Sequence, residues 1–356
     1  MPTAIIASKR FNPGHFSHIM ANSKLLKSNG YDIIFCLHQD FVVFSDYTIK
    51  KNGCRFWKLL NIFKGDLLIV WFPSVTVIFD ILLVKIFTRA TIVYVYHEPY
   101  TSFSSYRTAG FSRLKAIRVM AISLVSRAIC KLSDKIILPS TRAFNAVPRA
   151  RLEPRSYAKI NLMFADETGQ QTQSLTREFI SYIGTIAEDH AFDEFVRLMQ
   201  GCIADQTLQP LRFLIATRSQ VPKQHRAVID QCLSTGRLVM QSGSPMSNEK
   251  INRFYAQSFV VWNAYRRSMQ SGVLPKAYMF CTPVLVSTSN QSEYFQDGVH
   301  GVLISDRYSM HEFQHAIIRL VSEWSVISQN CRTYYLNNFD YRALSNMFMS
   351  FVLEKK

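Results

Sequence analysis

The sequence predicts an α/β protein of two domains, each built on a doubly wound parallel sheet with helices on both faces. Three observations predict this class. The chain of 356 residues is longer than one ordinary core and fits two domains of typical size. Short runs rich in β-branched residues alternate with helical patterns, as they do where parallel strands are joined by helices. A hydrophobic content of 48%, with 13% aromatic residues, suffices for packed interiors and excludes global disorder.

The alternation begins in the first half of the chain. The strands predicted there are 3–8, 32–38, 66–72, 91–99 and 134–140. Helices are predicted over about 17–28, 74–87 and 112–131. Residues 66–87 are the most apolar stretch, but their longest uncharged run, Leu67 to Phe79, is shorter than the roughly 20 residues of a membrane-spanning helix. We therefore predict a buried strand followed by a helix in this stretch.

A polar linker without apolar periodicity is predicted at 160–176, and a second α/β series follows it. Its predicted strands are 178–184, 211–217, 237–243, 259–265, 282–288 and 301–305, and the remainder from 309 is helical. The predicted boundaries are 1–165 for the first domain, 166–330 for the second and 331–356 for a C-terminal helical segment. Ligands of open α/β sheets bind at the carboxyl ends of the strands, so a cleft between two facing domains is the expected site.

The formal charge of +16 is concentrated in the first domain. Residues 1–165 hold 23 Lys and Arg against 8 Asp and Glu, giving +15, and residues 166–356 hold 18 against 17, giving +1. This asymmetry indicates a polyanionic partner for the first half, either anionic lipid or nucleic acid. Nucleic acid is disfavoured because no aromatic-basic platform or base-reading motif is evident.

A cationic amphipathic helix at 104–131 favours the lipid partner. Basic residues alternate there with apolar ones, namely Arg113, Lys115, Arg118, Arg127 and Lys131. Such a helix can lie on an anionic bilayer, at roughly 1 kcal/mol per basic residue near the surface. The alternative is a domain helix with a solvated basic face. We predict membrane contact, and with it a cytoplasmic protein that is peripheral on the inner face of the cell membrane.

The cysteines and the N-terminus support that compartment. The seven cysteines are scattered and odd in number, which favours a reducing environment. No CxxC or Cys/His spacing typical of a metal site appears, so we expect no metal. The apolar run at the N-terminus is too short for a signal peptide, and its charges follow it instead of preceding it.

The clearest chemical signal is Ser271-Gly272, which opens a predicted helix after the strand 259–265. A helix start at the carboxyl edge of a sheet presents backbone N–H groups that attract phosphate together with the helix dipole. Gly272 removes the side chain that would obstruct contact, Ser271 adds a hydroxyl donor, and Arg266 lies just upstream. The plain alternative is an ordinary N-cap with a packing glycine.

The residues after Ser271 follow a specific order. Residues 271–304 contain, in sequence, Ser271-Gly272-Val273, Ala277, Thr282-Pro283, Glu293, Asp297-Gly298 and Gly301. This order resembles the C-terminal nucleotide-sugar motif of the GT-B glycosyltransferases, particularly the retaining family GT4. The resemblance implies that Ser271, Gly272 and Val273 hold the diphosphate of a nucleotide-sugar donor, with Glu293 also on the donor side.

The resemblance extends over most of the chain, including 29–38 and 179–199. The stretch VYVYHEP (93–99) resembles the strand-end His-Glu-Pro of bacterial lipid-linked mannosyltransferases. That likeness implies a catalytic role for His97, in the cleft against donor sugar or acceptor, with Glu98 on the acceptor side; without it, a lone histidine is more often structural. The stretch FNPGHFSH (11–18) corresponds to the loop after the first strand, which implies donor contact at Gly14 and acceptor contacts at His15 and His18.

Three departures from the family pattern affect the charges of the site. The family's paired glutamates, eight positions apart, would fall near Ser268 and Lys276, and neither is acidic. His190 replaces the lysine of the usual Lys-Gly-Phe-Asp turn, and Thr185 stands where an arginine often follows Gly184. The cations predicted to neutralise donor phosphate are Lys276, Arg218 and Arg266. For Lys276 the alternative is a side chain that points to solvent.

The resemblance implies a metal-independent, retaining hexosyltransferase. Its donor would be a nucleotide sugar, which is a substrate, so no cofactor is expected, and its acceptor a lipid-linked or surface-polysaccharide glycan of the O-antigen or capsule type. Two alternatives stay open. One is a catalytically degenerate subunit that docks on a membrane partner, which the missing acids favour, and the other is a nucleotide-sugar epimerase, which needs no lipid acceptor. The donor base, sugar, acceptor and linkage depend on site contacts and not on the fold.

Overall fold

The computed structural model describes the chain except for residues 39, 42–64, 97–101, 147–155, 170–175, 206–210, 245, 268–270 and 355–356. The chain divides into two compact units. Unit 1 comprises Met1–Thr108, Ser112–Ala165 and Asn338–Lys356. Unit 2 comprises Ala109–Phe111 and Asp166–Asn337.

Unit 1 contains a parallel sheet of six strands. They are β1 (Thr3–Ser8), β2 (Asp32–Leu37), β3 (Leu67–Val70), β4 (Thr91–Val95), β5 (Lys135–Leu138) and β6 (Tyr157–Lys159). Their order in the sheet is β2-β1-β3-β4-β5-β6, and every neighbouring pair is parallel. All four residues of β3 are buried, which explains why central strands appear in the sequence as continuous apolar runs.

Helices connect these strands. They are α1 (Phe16–Ser28), α2 (Val75–Phe87), α3 (Phe103–Thr108), α4 (Arg113–Leu132) and α5 (Thr141–Ala146). Serine caps begin the two long connecting helices, because Ser74 Oγ accepts from the Val77 N–H and Ser112 Oγ accepts from the Lys115 N–H. One core cluster contains Ile81 of α2 and Ile129 of α4 together with residues of β1, β3, β4 and β5, so both helices cover the same face of the sheet.

Unit 2 repeats the architecture. Its strands are β7 (Phe179–Ile183), β8 (Arg212–Ala216), β9 (Leu238–Gln241), β10 (Ser258–Asn263), β11 (Val284–Ser287) and β12 (Gly301–Ile304). Their order is β12-β11-β10-β7-β8-β9, again parallel throughout. The helices are α6 (Phe192–Ala204), α7 (Arg226–Ser234), α8 (Asn248–Gln257), α9 (Val273–Met279) and α10 (Met310–Asn338). A last helix, α11 (Tyr341–Leu353), belongs to unit 1, where it contacts α1.

The two parallel sheets confirm the predicted fold class, with three local differences. The three-residue strand β6 was not predicted. Residues 160–165, predicted as the start of a linker, are buried in unit 1, with Ile160 and Phe164 each 1% exposed. The region from 309, predicted only as helical, forms two helices that are separated at Phe339-Asp340, where the Asp340 side chain accepts from the Arg342 N–H and caps α11.

The apolar stretch 66–87 forms β3 and α2, as predicted, but α2 is only half buried. Val77, Ile81 and Val84 pack into the core, whereas Phe79 and Ile86 are 58% and 69% exposed. Within the described ranges, no helix combines the length and the apolar content needed to cross a bilayer.

Candidate functional site

The carboxyl ends of β7 and β10, neighbouring strands of unit 2, bring two predicted segments together. β7 is followed by Gly184, whose φ of 145° lies in the region that favours glycine. A Cβ placed on Gly184 would lie 3.9 Å from Cγ2 of Val273, the first residue of α9. The turn after β7 therefore lies next to the start of α9, and any side chain at position 184 would fill the space between them.

The start of α9 uses part of its own hydrogen-bonding capacity. Ser271 Oγ accepts from the Val273 N–H at 3.1 Å, and Gly272 is the N-cap with an ordinary φ of −66°. Position 275 is a proline and has no N–H to offer. Gly272 and Leu274 are therefore the backbone donors that this first turn can direct to a ligand.

The loop after Gly184 packs against Tyr265, which follows β10. The ring of His190 stacks on that of Tyr265, with centroids 4.6 Å apart and an interplanar angle of 13°. His190 Nδ1 lies 2.7 Å from the carbonyl oxygen of Thr185. Burial raises the pKa of the Tyr265 phenol, and its hydrogen bond with the Ser271 side chain partly opposes that shift. Thr185 and His190, two of the departures from the family pattern, thus belong to one packed loop.

Arg266, predicted to neutralise phosphate, is held by unit 2 itself. Its Nη1 donates to the Glu188 carbonyl at 2.8 Å, and its Nη2 forms an ion pair with Asp193. Part of the donor capacity of this guanidinium is therefore already used, and its charge is partly compensated by Asp193. Arg218 follows the end of β8 by two residues and is half-buried.

Lys276 does not point to solvent, so that alternative is wrong. The residue is 5% exposed, and its Nζ lies 2.6 Å from Glu167 Oε2 and 3.3 Å from Asn248 Oδ1. The same Glu167 oxygen accepts from Asn248 Nδ2 at 2.5 Å and from Asn252 Nδ2 at 2.8 Å. The ammonium group of α9 is therefore compensated within unit 2.

Glu167 is the residue that sequence reasoning missed. Burial by itself raises the pKa of this carboxyl, but Lys276 and the two asparagine amides outweigh burial and lower the pKa to about 2. It lies 109 positions from Lys276 in sequence, at the polar end of a predicted linker. The only sign of it in the sequence is the acidic pair Asp166-Glu167. Asp166 also forms an ion pair, with Arg332 of α10.

The predicted residues of the loop after β1 differ in their surroundings. Gly14 is exposed, and its N–H donates to Asn12 Oδ1 at 3.1 Å. His15 is 4% exposed, and its ring centroid lies 5.2 Å from that of Phe72.

His18 is more deeply enclosed, at 1% exposure. Its ring lies nearly parallel to Trp71 at 5.4 Å between centroids, and its Nδ1 lies 2.9 Å from the Met163 carbonyl oxygen. His18 therefore packs within unit 1, and its acceptor contact stays a prediction.

Four other positions from the sequence analysis complete the survey. His97 and Glu98, and also Ser268, lie outside the described residues. Glu293 is exposed in the turn after β11, and its carboxylate acts with burial to raise the pKa of Tyr294.

The basic helix α4 carries its charges outward. Four of the five predicted cations are exposed and Lys115 is half-buried. The exposed four are Arg113, Arg118, Arg127 and Lys131.

Two described cavities lie at opposite edges of their sheets. A small one of about 30 Å³ lies at the carboxyl ends of β10, β11 and β12, lined by Tyr265, Arg266 and Asp306 among others. A larger one of about 660 Å³ lies in unit 1 at the amino ends of β3, β4 and β5. Carboxylates at this larger cavity cap strand ends, since Asp134 accepts from the Ile92 N–H, so we assign it no chemistry. In the described part of the chain, no three His, Cys, Asp or Glu side chains are grouped to hold a metal ion.

The sequence of unit 2 matches a known family model. Residues 177–323 match the model described as glycosyl transferases group 1. That region includes both Gly184 and the start of α9. Among curated proteins, no relative matches the sequence.

Solved structures resemble nearly the whole chain. Anabaena HepE in complex with UDP-glucose has a TM-score of 0.66 and 12% identity, over 98% of each chain. A glycosyltransferase from Rickettsia africae ESF-5 has a TM-score of 0.65 and 12% identity, over 100% of this chain and 99% of that one. Sucrose-phosphate synthase from Thermosynechococcus elongatus has a TM-score of 0.64 and 11% identity, over 98% of each chain. The likeness establishes a GT-B fold, and residues 177–323 of unit 2 are similar in sequence to the group 1 glycosyl transferases.

Proposed function

We propose that the protein is a retaining glycosyltransferase of the GT4 type that transfers a hexosyl group from a nucleotide sugar. The acceptor is a lipid-linked or surface-polysaccharide glycan, and no metal is required. The observation that carries the proposal is the proximity of the Gly184 turn to the start of α9, with no side chain at position 184 between them, inside the region that matches the family model. The UDP-glucose bound to Anabaena HepE supports a nucleotide sugar as donor.

In this proposal the start of α9 holds the donor diphosphate. The bond between the anomeric carbon and the diphosphate oxygen breaks, and a bond from the same carbon to an acceptor oxygen forms with retained configuration. The proton of the acceptor hydroxyl passes to the departing diphosphate. Preorganised donors aimed at the departing diphosphate stabilise its developing charge. We assign that role to the backbone of Gly272 and Leu274 and to the cations Arg218 and Arg266, with His97 against the donor sugar or acceptor.

Lys276 and Glu167 enter this proposal through α9. Their buried ion pair fixes a short helix whose first turn faces the Gly184 backbone. Lys276 therefore acts as a positioning residue, because its charge is already compensated by Glu167. An anion that approached it would compete with a carboxylate at 2.6 Å.

Membrane contact brings the enzyme to its acceptor in this proposal. The exposed cations of α4 attract anionic headgroups on the cytoplasmic face, at roughly 1 kcal/mol per residue. Such attraction is electrostatic and weakens as salt shortens the Debye length.

The test begins with the donor. A thermal-shift screen of UDP-, GDP- and dTDP-sugars identifies the nucleotide that raises Tm, and turnover is then measured with extracted lipid-linked glycans. We expect transfer that falls at least about a hundredfold in His97→Ala, the scale of a lost general acid–base or positioning group. Unchanged turnover in His97→Ala would remove this residue from the mechanism.

The rival functions give different products. A new nucleotide sugar formed from the donor alone, with no acceptor present, indicates an epimerase. Donor binding without turnover on any acceptor indicates a catalytically degenerate subunit. Either result overturns the transferase proposal.

A further inference from the structure

Helix α2 of unit 1 is apolar on two opposite sides. Three side chains on its inner side, Val77, Ile81 and Val84, are at most 1% exposed. Its outer side carries large apolar residues at spacings of four, three and four. They are Val75 at 58% exposure, Phe79 at 58%, Leu82 at 38% and Ile86 at 69%. A helix that is apolar all round is normally buried, so the outer side is unusual for a surface exposed to water.

The neighbouring helix α4 continues this apolar surface. α2 and α4 pack against each other and contribute to the same core cluster on one face of the sheet, so their outer sides face the same way. On α4 the exposed apolar side chains are Leu114 at 82%, Ile117 at 56% and Leu124 at 64%. We name the seven outer residues of both helices the α2–α4 apolar face. Contiguous exposed apolar patches of this kind mark interaction surfaces.

Positive charge borders the α2–α4 apolar face. Arg113, Arg118 and Lys131 of α4 are exposed beside it, and α4 contains no acidic residue. The one acidic residue of α2, Asp80, points inward, being 6% exposed and paired with Lys9.

This combination of apolar and basic groups indicates which partner covers the α2–α4 apolar face. A second copy of the chain would bring the same cations together, and like charges across an interface oppose association. An anionic bilayer offers acyl chains to the apolar residues and headgroups to the cations, as amphipathic helices at membrane interfaces require.

We propose that the α2–α4 apolar face inserts into the interface of an anionic bilayer, with α2 as the apolar wedge and the basic residues of α4 on the headgroups. The inference rests on the membrane contact of the proposed function and goes beyond it, because it adds an apolar anchor on a helix with few charges. The two contributions add, because binding at a membrane interface scales with the buried apolar area plus the electrostatic attraction to anionic lipids. The apolar part is not screened by salt, so binding retains a salt-resistant component.

The test uses vesicles of phosphatidylcholine with and without phosphatidylglycerol, sedimented with the full chain. Wild-type protein should bind the anionic vesicles at low salt and stay partly bound at about 1 M NaCl, where the Debye length is about 3 Å. The double variant Phe79→Ser/Ile86→Ser should bind about a hundredfold more weakly at high salt, at about tenfold per lost side chain. A matched control is Ile318→Ser/Val321→Ser on α10, where the side chains are 65% and 64% exposed, and it should bind like wild type.

Two further measurements separate loss of insertion from misfolding. Phe79→Trp keeps an aromatic side chain, and its added fluorescence should shift to shorter wavelength and be quenched by brominated lipid when vesicles are present. Phe79→Ser/Ile86→Ser should keep the wild-type Tm and its transfer rate on a water-soluble acceptor.

Each outcome decides between the proposals. Binding that high salt abolishes, with no effect of Phe79→Ser/Ile86→Ser, overturns apolar insertion and leaves the electrostatic contact standing. No binding to anionic vesicles at low salt overturns both, while the donor screen still tests sugar transfer. If the wild-type protein is a dimer and Phe79→Ser/Ile86→Ser makes it monomeric, a second copy covers the α2–α4 apolar face. That result would contradict this inference.

Discussion

The basic residues near α9 in unit 2 and those on α4 in unit 1 have opposite surroundings. In unit 2, Lys276 pairs with Glu167, and Arg266 and Arg332 also pair with carboxylates of the same unit. In unit 1, α4 carries five basic residues in a 20-residue helix that has no acidic one. Charge that is compensated internally stabilises the unit that contains it, whereas exposed charge such as that of Arg113, Arg118 and Lys131 is accessible to a partner. The cations near α9 therefore stabilise the fold, whereas the exposed cations of α4 are placed to bind an anionic partner.

The largest effect should come from breaking compensation in unit 2. Glu167→Gln keeps the shape of the side chain but leaves the Lys276 ammonium buried without its carboxylate, a change that costs about 3–5 kcal/mol. We expect the α9 segment to exchange amide hydrogens far faster, measured by mass spectrometry with unit 1 peptides as the internal reference. The control is Glu178→Gln, which breaks a pair with Arg212 whose side chains are 36% and 40% exposed. That change should cost less than about 1 kcal/mol. If the two variants lower the free energy of unfolding by the same amount, burial of the Lys276–Glu167 pair does not set its contribution.

Acid should weaken the same pair. The pKa of Glu167 is about 2 in the folded chain and 4.5 in an unperturbed glutamate, so its stabilisation is complete above about pH 4.5 and is lost as pH falls towards 2. The shift corresponds to roughly 3 kcal/mol. We expect the difference in α9 protection between wild type and Glu167→Gln to shrink steadily from pH 5 to pH 3, followed by hydrogen exchange. A difference that stays constant over this range would show that Glu167 is not the titrating group.

The smallest predicted free-energy change concerns α4. The triple variant Arg113→Gln/Arg118→Gln/Lys131→Gln removes three exposed charges, each worth roughly 1 kcal/mol near an anionic membrane, so vesicle binding at low salt should weaken about a hundredfold. Its Tm should stay within a few degrees of wild type, because surface substitutions of this kind change stability little. If the triple variant loses the same amount of binding to anionic and to neutral vesicles, relative to wild type, these charges do not face the lipid.

Most of the fold could be predicted because the elements that define it have clear periodicity. β1 was predicted at 3–8 and occupies those residues, and the sheet class follows from such buried runs. β6 was missed because three residues are too few to show a period of two. The exposed side of α2 was also missed, because its apolar residues lie on both sides of the helix and the sequence does not show which side meets the sheet.

The site was less predictable, for a different reason. The glycine turn and the Ser-Gly-Val helix start are local patterns, so Gly184 and Gly272 could be found by inspection. The state of Lys276 depends on Glu167, a partner 109 positions away that no local pattern indicates. His18 looked like a loop residue, but the aromatic contacts that enclose it come from other segments of unit 1.

The return of the chain to unit 1 has a consequence for biosynthesis. Phe164 exchanges backbone hydrogen bonds with Phe339 and Tyr341, and α11 then packs on α1. In chain order, unit 2 is an insertion within unit 1. At about 5–20 residues per second, the ribosome needs roughly 10–40 s to translate from Ala165 to the end of α11. Throughout that interval the nascent unit 1 lacks its final helix. Unit 2 is translated completely before α11 is made, so the unit that begins first finishes last.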